Sequence, residues 1–203
     1  MLLENKIAFL KDSIEPLSDA EFGSIYRAAV YLTDGTYLPC VRFLNPQPLT
    51  RHAIKRFDQE RKKHKFFNRD SGQNYESIVE LLVCRGNRLS EYDIDSIEVS
   101  PFAFPINIMK RIKGETTMSW TGFCGKMRDG KIFGFGSRFR FDFFQMPPGY
   151  TGGDIVEIIN HSYLSISGQV EKHTVPFLNW PENYDPKSVH RERPFFDCYV
   201  EGL

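Results

Sequence analysis

The stretch WTGFCGKMRDGKIFGFGSRFRFDFF, residues 120–144, decides the fold because it predicts consecutive strands of an aromatic-rich sheet. Two apolar runs flank Asp129-Gly130, a pair that suits a two-residue turn in which both central residues adopt positive φ. We therefore predict a β-hairpin centred on this pair. With two residues in the turn, Phe123 would face Gly136 across the hairpin.

The residues that follow Ser137 alternate between aromatic and charged side chains, and this period of two predicts a third strand. The aromatic side chains would point to one face of that strand and the charged side chains to the other. The aromatic set is Phe139, Phe141 and Phe143, and the charged set is Arg138, Arg140 and Asp142. Because arginine and aromatic residues are enriched at binding hot spots, we expect a partner-binding site at Arg138 and Arg140, with Trp120 nearby.

Length and composition favour one domain over two. The chain has 203 residues, and its 18 Phe and nine Tyr supply a sizeable core. We predict a single domain over residues 1–203, with a subdivision near residues 68–75 as the alternative. The 26 acidic and 26 basic residues balance, so the chain has no global field that attracts nucleic acid or an anionic membrane. Any nucleic-acid binding must therefore be local.

The N-terminal segment carries charged residues among its apolar positions and lacks the apolar core of a secretory signal. The longest uncharged apolar run, residues 101–109, is too short to span a bilayer. We therefore expect a soluble, cytoplasmic protein with no membrane partner, no cofactor and no metal. The cysteines lie singly, without a C-x-x-C pair, which predicts buried reduced thiols at Cys40, Cys84, Cys124 and Cys198.

Helical spacing of apolar residues predicts an amphipathic helix over the first dozen residues, ending before Pro16. Ser18 and Glu21 fit a capping box, which predicts a short second helix that Gly23 ends.

A second Asp-Gly pair, Asp34-Gly35, predicts another hairpin over residues 24–44. A two-residue turn would place Val30 opposite Pro39. Since proline has no N–H, the second strand tolerates it only at a sheet edge or a bulge.

The longest predicted helix covers residues 49–67, and its second half is strongly basic. Eight Lys or Arg and two acidic residues lie between positions 51 and 69, a balance of +6. Residues 70–99 carry seven acidic and two basic residues, a balance of −5. Two interpretations stay open: the segments neutralise each other, or the helix binds nucleic-acid phosphates. The residues for the second interpretation are Arg61, Lys62, Lys63 and Lys65.

The middle of the chain predicts a further helix, because Pro105 suits its first turn and Gly114 suits the C-terminal cap after about Lys113. Strands are predicted at residues 77–84, as a central strand, at 89–99, and at 195–200.

The pattern after the Gly-rich break predicts a third hairpin, in which residues 155–164 pair with residues 170–175. A helix over residues 154–164 is the alternative. Residues 176–194 form a long segment without predicted regular structure, which is uncommon unless the segment is functional or well packed.

Three acidic residues alternate at Glu91, Asp93 and Asp95, and on a strand their carboxylates would share a face that can hold Mg²⁺ or Ca²⁺. We favour a solvated strand face. Ser90 with Asp93 could instead cap a helix, which would separate the three carboxylates.

Two histidines, His161 and His173, flank the turn of the third hairpin and could lie near each other across it. A catalytic zinc needs a third ligand, and spacing ties none to this pair. The serines and cysteines have no nucleophile-elbow setting, so no catalytic residue is predicted.

These patterns together predict an α+β fold: a predominantly antiparallel, aromatic-rich sheet with two or three helices on one face. Without a predicted active site, the expected function is a non-enzymatic protein-binding module, such as an inhibitor or an immunity-type protein. The alternatives are nucleic-acid binding through the basic helix at residues 51–69, or a hydrolase whose site is not visible in the sequence.

Overall fold

The computed structural model describes residues 2–20, 22–62, 78, 86–116, 119–138, 140–173 and 181–203, and the side chains of residues 61 and 62 are outside this description. The chain forms two compact units. Unit 1 comprises Met1–Val99 and Phe195–Leu203, and unit 2 comprises Ser100–Pro194. The single-domain expectation stays a prediction, and its alternative boundary near residues 68–75 lies outside the described residues.

Within the described ranges the chain forms three α-helices and twelve strands, joined by short 3₁₀ turns. The helices are α1 (Leu3–Ser13), α2 (Gln47–Lys62) and α3 (Ile106–Met109). The strands of the first half are β1 (Leu17–Asp19), β2 (Gly23–Leu32), β3 (Tyr37–Leu44), β4 (Arg88–Leu89), β5 (Ile94–Val99) and β6 (Thr121–Met127). Those of the second half are β7 (Ile132–Ser137), β8 (Ile155–Asn160), β9 (Ser162–Leu164), β10 (Val170–Lys172), β11 (His190–Arg191) and β12 (Phe196–Tyr199).

The sheet of unit 1 is mixed. Strand β2 pairs antiparallel with β1, β3 and β5. The last strand, β12, lies between β3 and β4 and is parallel to both. The predicted α+β fold and the predicted last strand are confirmed. The sheet is less uniformly antiparallel than the sequence predicted. The reason is that β12, which is distant in sequence from β3, runs in the same direction as β3.

Helices α1 and α2 cover opposite faces of this sheet, whereas the sequence analysis expected the helices on one face. Side chains alternate along a strand, so the neighbouring pairs Tyr26↔Phe43 and Ile25↔Leu44 point to opposite sides. The first pair packs in one apolar cluster with Leu10 of α1. The second pair packs in a different cluster with residues of α2. The continuous buried runs of β2 and β3 show that both faces of these strands are covered, with one helix on each side.

The hairpin at Asp129-Gly130 is confirmed, but the two-residue turn is wrong. The Met127 amide donates to the Lys131 carbonyl at 2.8 Å, and the Gly130 amide donates to the Met127 carbonyl at 2.9 Å. The loop therefore has three residues, with Gly130 at φ +90°. The Asp129 carboxylate also accepts from the Lys131 amide at 3.1 Å. An Asp-Gly pair suits this three-residue loop as well as the two-residue turn, so the dipeptide alone did not determine the register.

The same loop closes the hairpin of β2 and β3. The Leu32 amide donates to the Thr36 carbonyl at 2.8 Å, and Gly35 has φ +85°. Val30 pairs with Leu38 rather than with Pro39, and the register shifts between Ala28 and Val30. Pro39 therefore lies at a β-bulge, one of the two positions where the sequence analysis allowed it.

Unit 2 is built on a four-stranded sheet in the order β11-β7-β6-β8, with the β9-β10 hairpin as a separate two-stranded sheet. The Phe123 and Phe135 side chains face each other across β6 and β7 and stack with their ring centroids 5.4 Å apart. They join a buried cluster that also contains Phe104, Phe144 and Ile155. The predicted third hairpin is confirmed only where β9 pairs with β10, because β8, the first part of its predicted first strand, pairs with β6 instead. That pairing also shows that the alternative helix over residues 154–164 is wrong.

The strand predicted after Ser137 does not form. Strand β7 ends at Ser137, whose hydroxyl donates to the Arg140 carbonyl at 2.6 Å and accepts from the Arg140 amide at 3.1 Å. This local turn interrupts the alternation. Asp142 is consequently buried, and the consecutive residues Phe143 and Phe144 are both buried. Phe139 lies outside the described residues.

The short helix predicted at Ser18 is also wrong, since Ser18 lies in β1 opposite Ser24 of β2. The Asp19 carboxylate accepts from the Phe22 amide at 3.0 Å and forms the turn between the two strands. Glu21, the other half of the expected capping box, lies outside the described residues.

Of the remaining helix predictions, the one that begins after Pro105 differs most from the structure in length. Helix α1 is confirmed. Helix α3 ends at Met109 because the next amides, of Arg111 and Ile112, donate to carbonyls three residues earlier and tighten the chain into turns. Helix α2 is confirmed to Lys62, and its predicted end at residue 67 lies outside the described residues. The strand predicted at 77–84 also lies outside them, apart from the buried Ile78.

Candidate partner-binding surface

The three residues of the predicted partner-binding site differ in their exposure to solvent. Arg138 and Arg140 are exposed, whereas Trp120 is only 6 % exposed. Trp120 packs on the backbone of β7, where a Cβ added to Gly136 would lie 2.0 Å from the Trp120 ring. Trp120 therefore supports the sheet and contributes to a surface only through its neighbours.

The neighbour that matters most is Arg191, which no sequence pattern indicated as a binding residue. Strand β11 lies parallel to β7 with Arg191 opposite Gly136. This register places the Arg191 guanidinium 4.6 Å from the centre of the Trp120 ring. A cation over an indole face is attracted by the ring quadrupole, an interaction worth about 0.5–1 kcal/mol at exposed sites. The only local signal was the charge alternation Arg-Glu-Arg within a segment predicted to be irregular.

We define the arginine surface as the exposed residues Arg138, Arg140 and Arg191. The three come from two chain segments that meet at the end of β7. Glu192 connects these segments, because one carboxylate oxygen accepts from the Arg138 amide at 3.3 Å and the other lies 3.3 Å from Arg191 Nε. The three guanidinium groups carry more charge than the Glu192 carboxylate between two of them, so the arginine surface presents positively charged donors.

A fourth arginine nearby, Arg193, has a structural role. Its guanidinium lies 4.0 Å from the centre of the Phe102 ring and donates to the Gln145 side-chain carbonyl. The Arg193 amide donates to the Phe143 carbonyl at 2.8 Å. Arg193 therefore fastens its segment to the body of unit 2 and is not included in the arginine surface.

The two histidines of the third hairpin lie close together, as predicted. The His173 amide donates to the His161 carbonyl at 2.8 Å. Burial, with a smaller contribution from the charge of His161, lowers the pKa of His173 to about 4. The His161 ring is exposed, with Nε2 2.7 Å from the Lys113 carbonyl. Among the described residues no three His, Cys, Asp or Glu side chains gather as metal ligands, so no third metal ligand accompanies the pair there.

The acidic triplet does not share one strand face. The Ser90 hydroxyl accepts from the Tyr92 amide at 3.3 Å and begins a 3₁₀ turn over Glu91–Asp93. Asp95 follows in β5. The capping alternative in the sequence analysis is therefore confirmed. The turn leaves Tyr92 strongly exposed, which the alternating pattern did not predict.

The basic residues predicted to bind nucleic acid lie largely outside the part of the chain that the structure describes. Arg61 and Lys62 belong to the last turn of α2, without described side chains, and Lys63 and Lys65 lie beyond the described range. That interpretation stays a prediction.

The described cysteines are buried reduced thiols, as predicted for Cys40, Cys124 and Cys198. Burial raises the pKa of Cys124 and raises the pKa of Cys198 to about 12. Thiols with raised pKa values carry almost no thiolate at neutral pH, which argues against either residue as a nucleophile. Cys84 lies outside the described residues.

Comparison with known proteins does not supply a function. No protein-family model matches the chain, and no match was found among curated proteins or solved structures. None of the described helices combines the length and apolar character needed to cross a lipid bilayer.

Proposed function

We propose that this protein is a non-enzymatic protein-binding module whose arginine surface binds an acidic patch on a partner protein. The observation that carries the proposal is the convergence of Arg138, Arg140 and Arg191 at one end of unit 2, with Arg191 held against Trp120.

The chemistry of arginine supports this function. A guanidinium presents its donors in a planar fork that matches a carboxylate, and arginine is one of the residues enriched at binding hot spots. Contact with Trp120 restrains the Arg191 side chain before binding, which reduces the entropy lost on complex formation. The same electropositive surface would accelerate encounter with an acidic partner at low ionic strength.

Inhibitors and immunity-type proteins are one class of module that works in this way, and we propose that class for this chain. In such proteins the function is occupation of a partner's surface, so no catalytic constellation is required.

The test is capture from the native host with the tagged full chain. The combined variant Arg138→Ala/Arg140→Ala/Arg191→Ala should lose a partner that the wild type retains, with affinity for that purified partner reduced about tenfold or more. The matched control is Arg128→Ala, because Arg128 is also an exposed arginine of unit 2 and lies outside the arginine surface. A partner retained equally by the triple variant would refute the proposed surface.

A nuclease step separates the leading function from the nucleic-acid alternative. The capture is repeated after digestion of nucleic acid in the lysate. Retention of the partner supports direct protein binding, whereas loss of all captured material supports the nucleic-acid interpretation.

A further inference from the structure

Unit 1 contains two adjoining clefts formed by α1 and the 3₁₀ turn at Glu91–Asp93. Their volumes are about 280 and 500 Å³. Leu3, Glu91 and Tyr92 line both clefts. The shared wall makes them one continuous feature, which we call the Tyr92 cleft.

The wall of the Tyr92 cleft exposes large apolar side chains. Tyr92 is 84 % exposed, and Leu2, which lines the smaller cleft, is 73 % exposed. Exposed apolar side chains that lie next to one another in a concave site mark binding surfaces more often than isolated ones do. An aromatic residue that presents one apolar face and a polar hydroxyl is a common anchor for a protein partner.

Two basic side chains line the cleft, those of Lys6 and Arg88, and both contact groups of this protein. Lys6 is only 6 % exposed, and its ammonium donates to the Glu91 carbonyl at 2.7 Å. The Arg88 guanidinium lies 4.7 Å from the centre of the Tyr199 ring. The carboxylates at the lining are those of Glu91, Asp95 and Glu201. The chemistry presented to a ligand is therefore apolar with an acidic margin.

One carboxylate oxygen in this cleft lacks a donor. Glu91 Oε2 is shielded from solvent and accepts no hydrogen bond from the part of the chain that the structure describes. A buried acceptor without a partner is costly, and a charged acceptor more so than a neutral one. Because Oε2 is closed to solvent, a cationic donor that enters the cleft would meet Glu91 where this residue lines the cleft, and would complement the acidic margin.

We propose that the Tyr92 cleft binds a basic peptide segment of a partner protein. A lysine or arginine of the segment donates to Glu91, and an adjacent apolar residue packs against Leu2, Leu3 and Tyr92. The proposed occupant has the opposite charge from the partner surface that fits the arginine surface of unit 2. The cleft is therefore a second binding site, and this inference does not depend on the proposed function.

The experiment is selection of peptides from a displayed library of random decapeptides with the full-length protein as bait. The most enriched peptide is then synthesised with a fluorescein label and titrated by fluorescence anisotropy. We expect enriched peptides to contain lysine or arginine next to a leucine, isoleucine or aromatic residue. Enrichment of peptides without basic residues, or no enrichment over a bait-free control, would overturn the proposal.

Variants then locate the site. Glu91→Gln keeps the shape of the side chain and should raise the Kd of the labelled peptide about tenfold or more, since it removes one charge-assisted hydrogen bond. Tyr92→Ala should weaken binding by removing the apolar wall. Glu15→Gln is the matched control, because Glu15 is an exposed carboxylate of unit 1 that does not line the cleft, and its Kd should equal that of the wild type.

Two further titrations make the outcome unambiguous. Replacement of the basic residue of the peptide by norleucine should weaken binding to the wild type and have little effect on Glu91→Gln, as expected for a direct pair in a double-mutant cycle. An unchanged Kd in both Glu91→Gln and Tyr92→Ala would refute the site even if the peptide is basic. The triple arginine variant should bind the peptide like the wild type, so failure of the arginine surface leaves this result intact.

Discussion

The Trp120 indole lies directly against the backbone of Gly136, so closely that a Cβ at position 136 would be 2.0 Å from Trp120 Cζ2. No side chain fits between the tryptophan and strand β7. This contact holds Trp120 beneath Arg191 and thereby shapes the arginine surface, although Gly136 itself meets no partner.

The first prediction concerns this contact. Gly136→Ala should reduce the free energy of unfolding by about 1–3 kcal/mol, because an added methyl group forces a buried side chain to move. The measurement is urea denaturation followed by tryptophan fluorescence. Gly134→Ala on the same strand is the control, since its Cβ would meet Leu164 at an ordinary 3.5 Å and should change stability much less. Equal effects of the two variants would show that close approach of Trp120 is not the reason for glycine at 136.

The second prediction concerns the buried ion pair of unit 1. Arg42 Nε donates to Asp197 Oδ1 at 2.7 Å, and Arg42 Nη2 lies 2.7 Å from the same oxygen as an ion pair, with the two side chains 2 % and 1 % exposed. Asp197→Ala leaves a guanidinium buried without this carboxylate and should cost about 3–5 kcal/mol. Chemical denaturation of the variant measures the loss.

The control for that experiment is an exposed pair. Lys131 lies 3.7 Å from Asp129 at the surface, and Lys131→Ala should change stability much less than Asp197→Ala does, because solvent screens an exposed pair. If Asp197→Ala lowers the free energy of unfolding no more than Lys131→Ala does, the buried pair does not stabilise unit 1 more than an exposed pair.

The third prediction concerns pH. The pKa of His173 is lowered from 6.5 to about 4, so between these values the unfolded chain binds the proton more tightly than the folded chain. The stability that neutral His173 contributes is complete above about pH 6.5 and is lost as the pH falls toward 4. After allowance for its partial exposure, the loss should be about 1–2 kcal/mol.

Urea denaturation from pH 7.5 to 4.5 measures this dependence. His173→Gln should flatten the curve, and His52→Gln, which replaces an exposed histidine of unit 1, is the control. A variant curve parallel to that of the wild type would assign the pH dependence to other groups.

The fourth prediction concerns thiol reactivity. Because Cys40, Cys124 and Cys198 are buried, they should react with a disulfide reagent at pH 7.5 at least about 100 times more slowly in the native chain than in guanidinium. Mass spectrometry of the modified peptides identifies which thiols react. Fast modification of Cys198, whose pKa is raised to about 12 by burial, would contradict its position in the core.

The fifth prediction concerns the basic end of α2. If its charges pair with the acidic segment that follows, the wild type should bind nucleic acid weakly at about 150 mM salt, and neutralising Arg61, Lys62, Lys63 and Lys65 should alter stability only modestly. Filter binding over a range of salt concentrations measures the affinity. Micromolar or tighter binding that these substitutions abolish, with a logarithmic salt slope that falls by about one per contact removed, would establish the nucleic-acid alternative.

The amino-acid sequence by itself determined the local elements. Apolar spacing predicted α1, and the two Asp-Gly pairs predicted the hairpins β2-β3 and β6-β7. These features depend on residues that lie within a few positions of each other, where helical period and turn chemistry act directly. The length of each turn was the exception, because Asp-Gly is compatible with loops of two and three residues, and one residue changes every facing pair.

Only the tertiary structure decided the contacts between distant segments. Cys198 of β12 pairs with Phe43 of β3, and Arg191 of β11 pairs with Gly136 of β7. Strand β12 alternates too little to indicate its neighbour, and the two residues of β11 carry no periodicity at all. The same reason explains the candidate sites: Arg138 and Arg140 were visible in an alternating stretch, whereas the contact of Arg191 with Trp120 and the exposure of Tyr92 depend on how separate segments pack. Local patterns encode which residues can form an element, but burial and long-range pairing determine what each element touches.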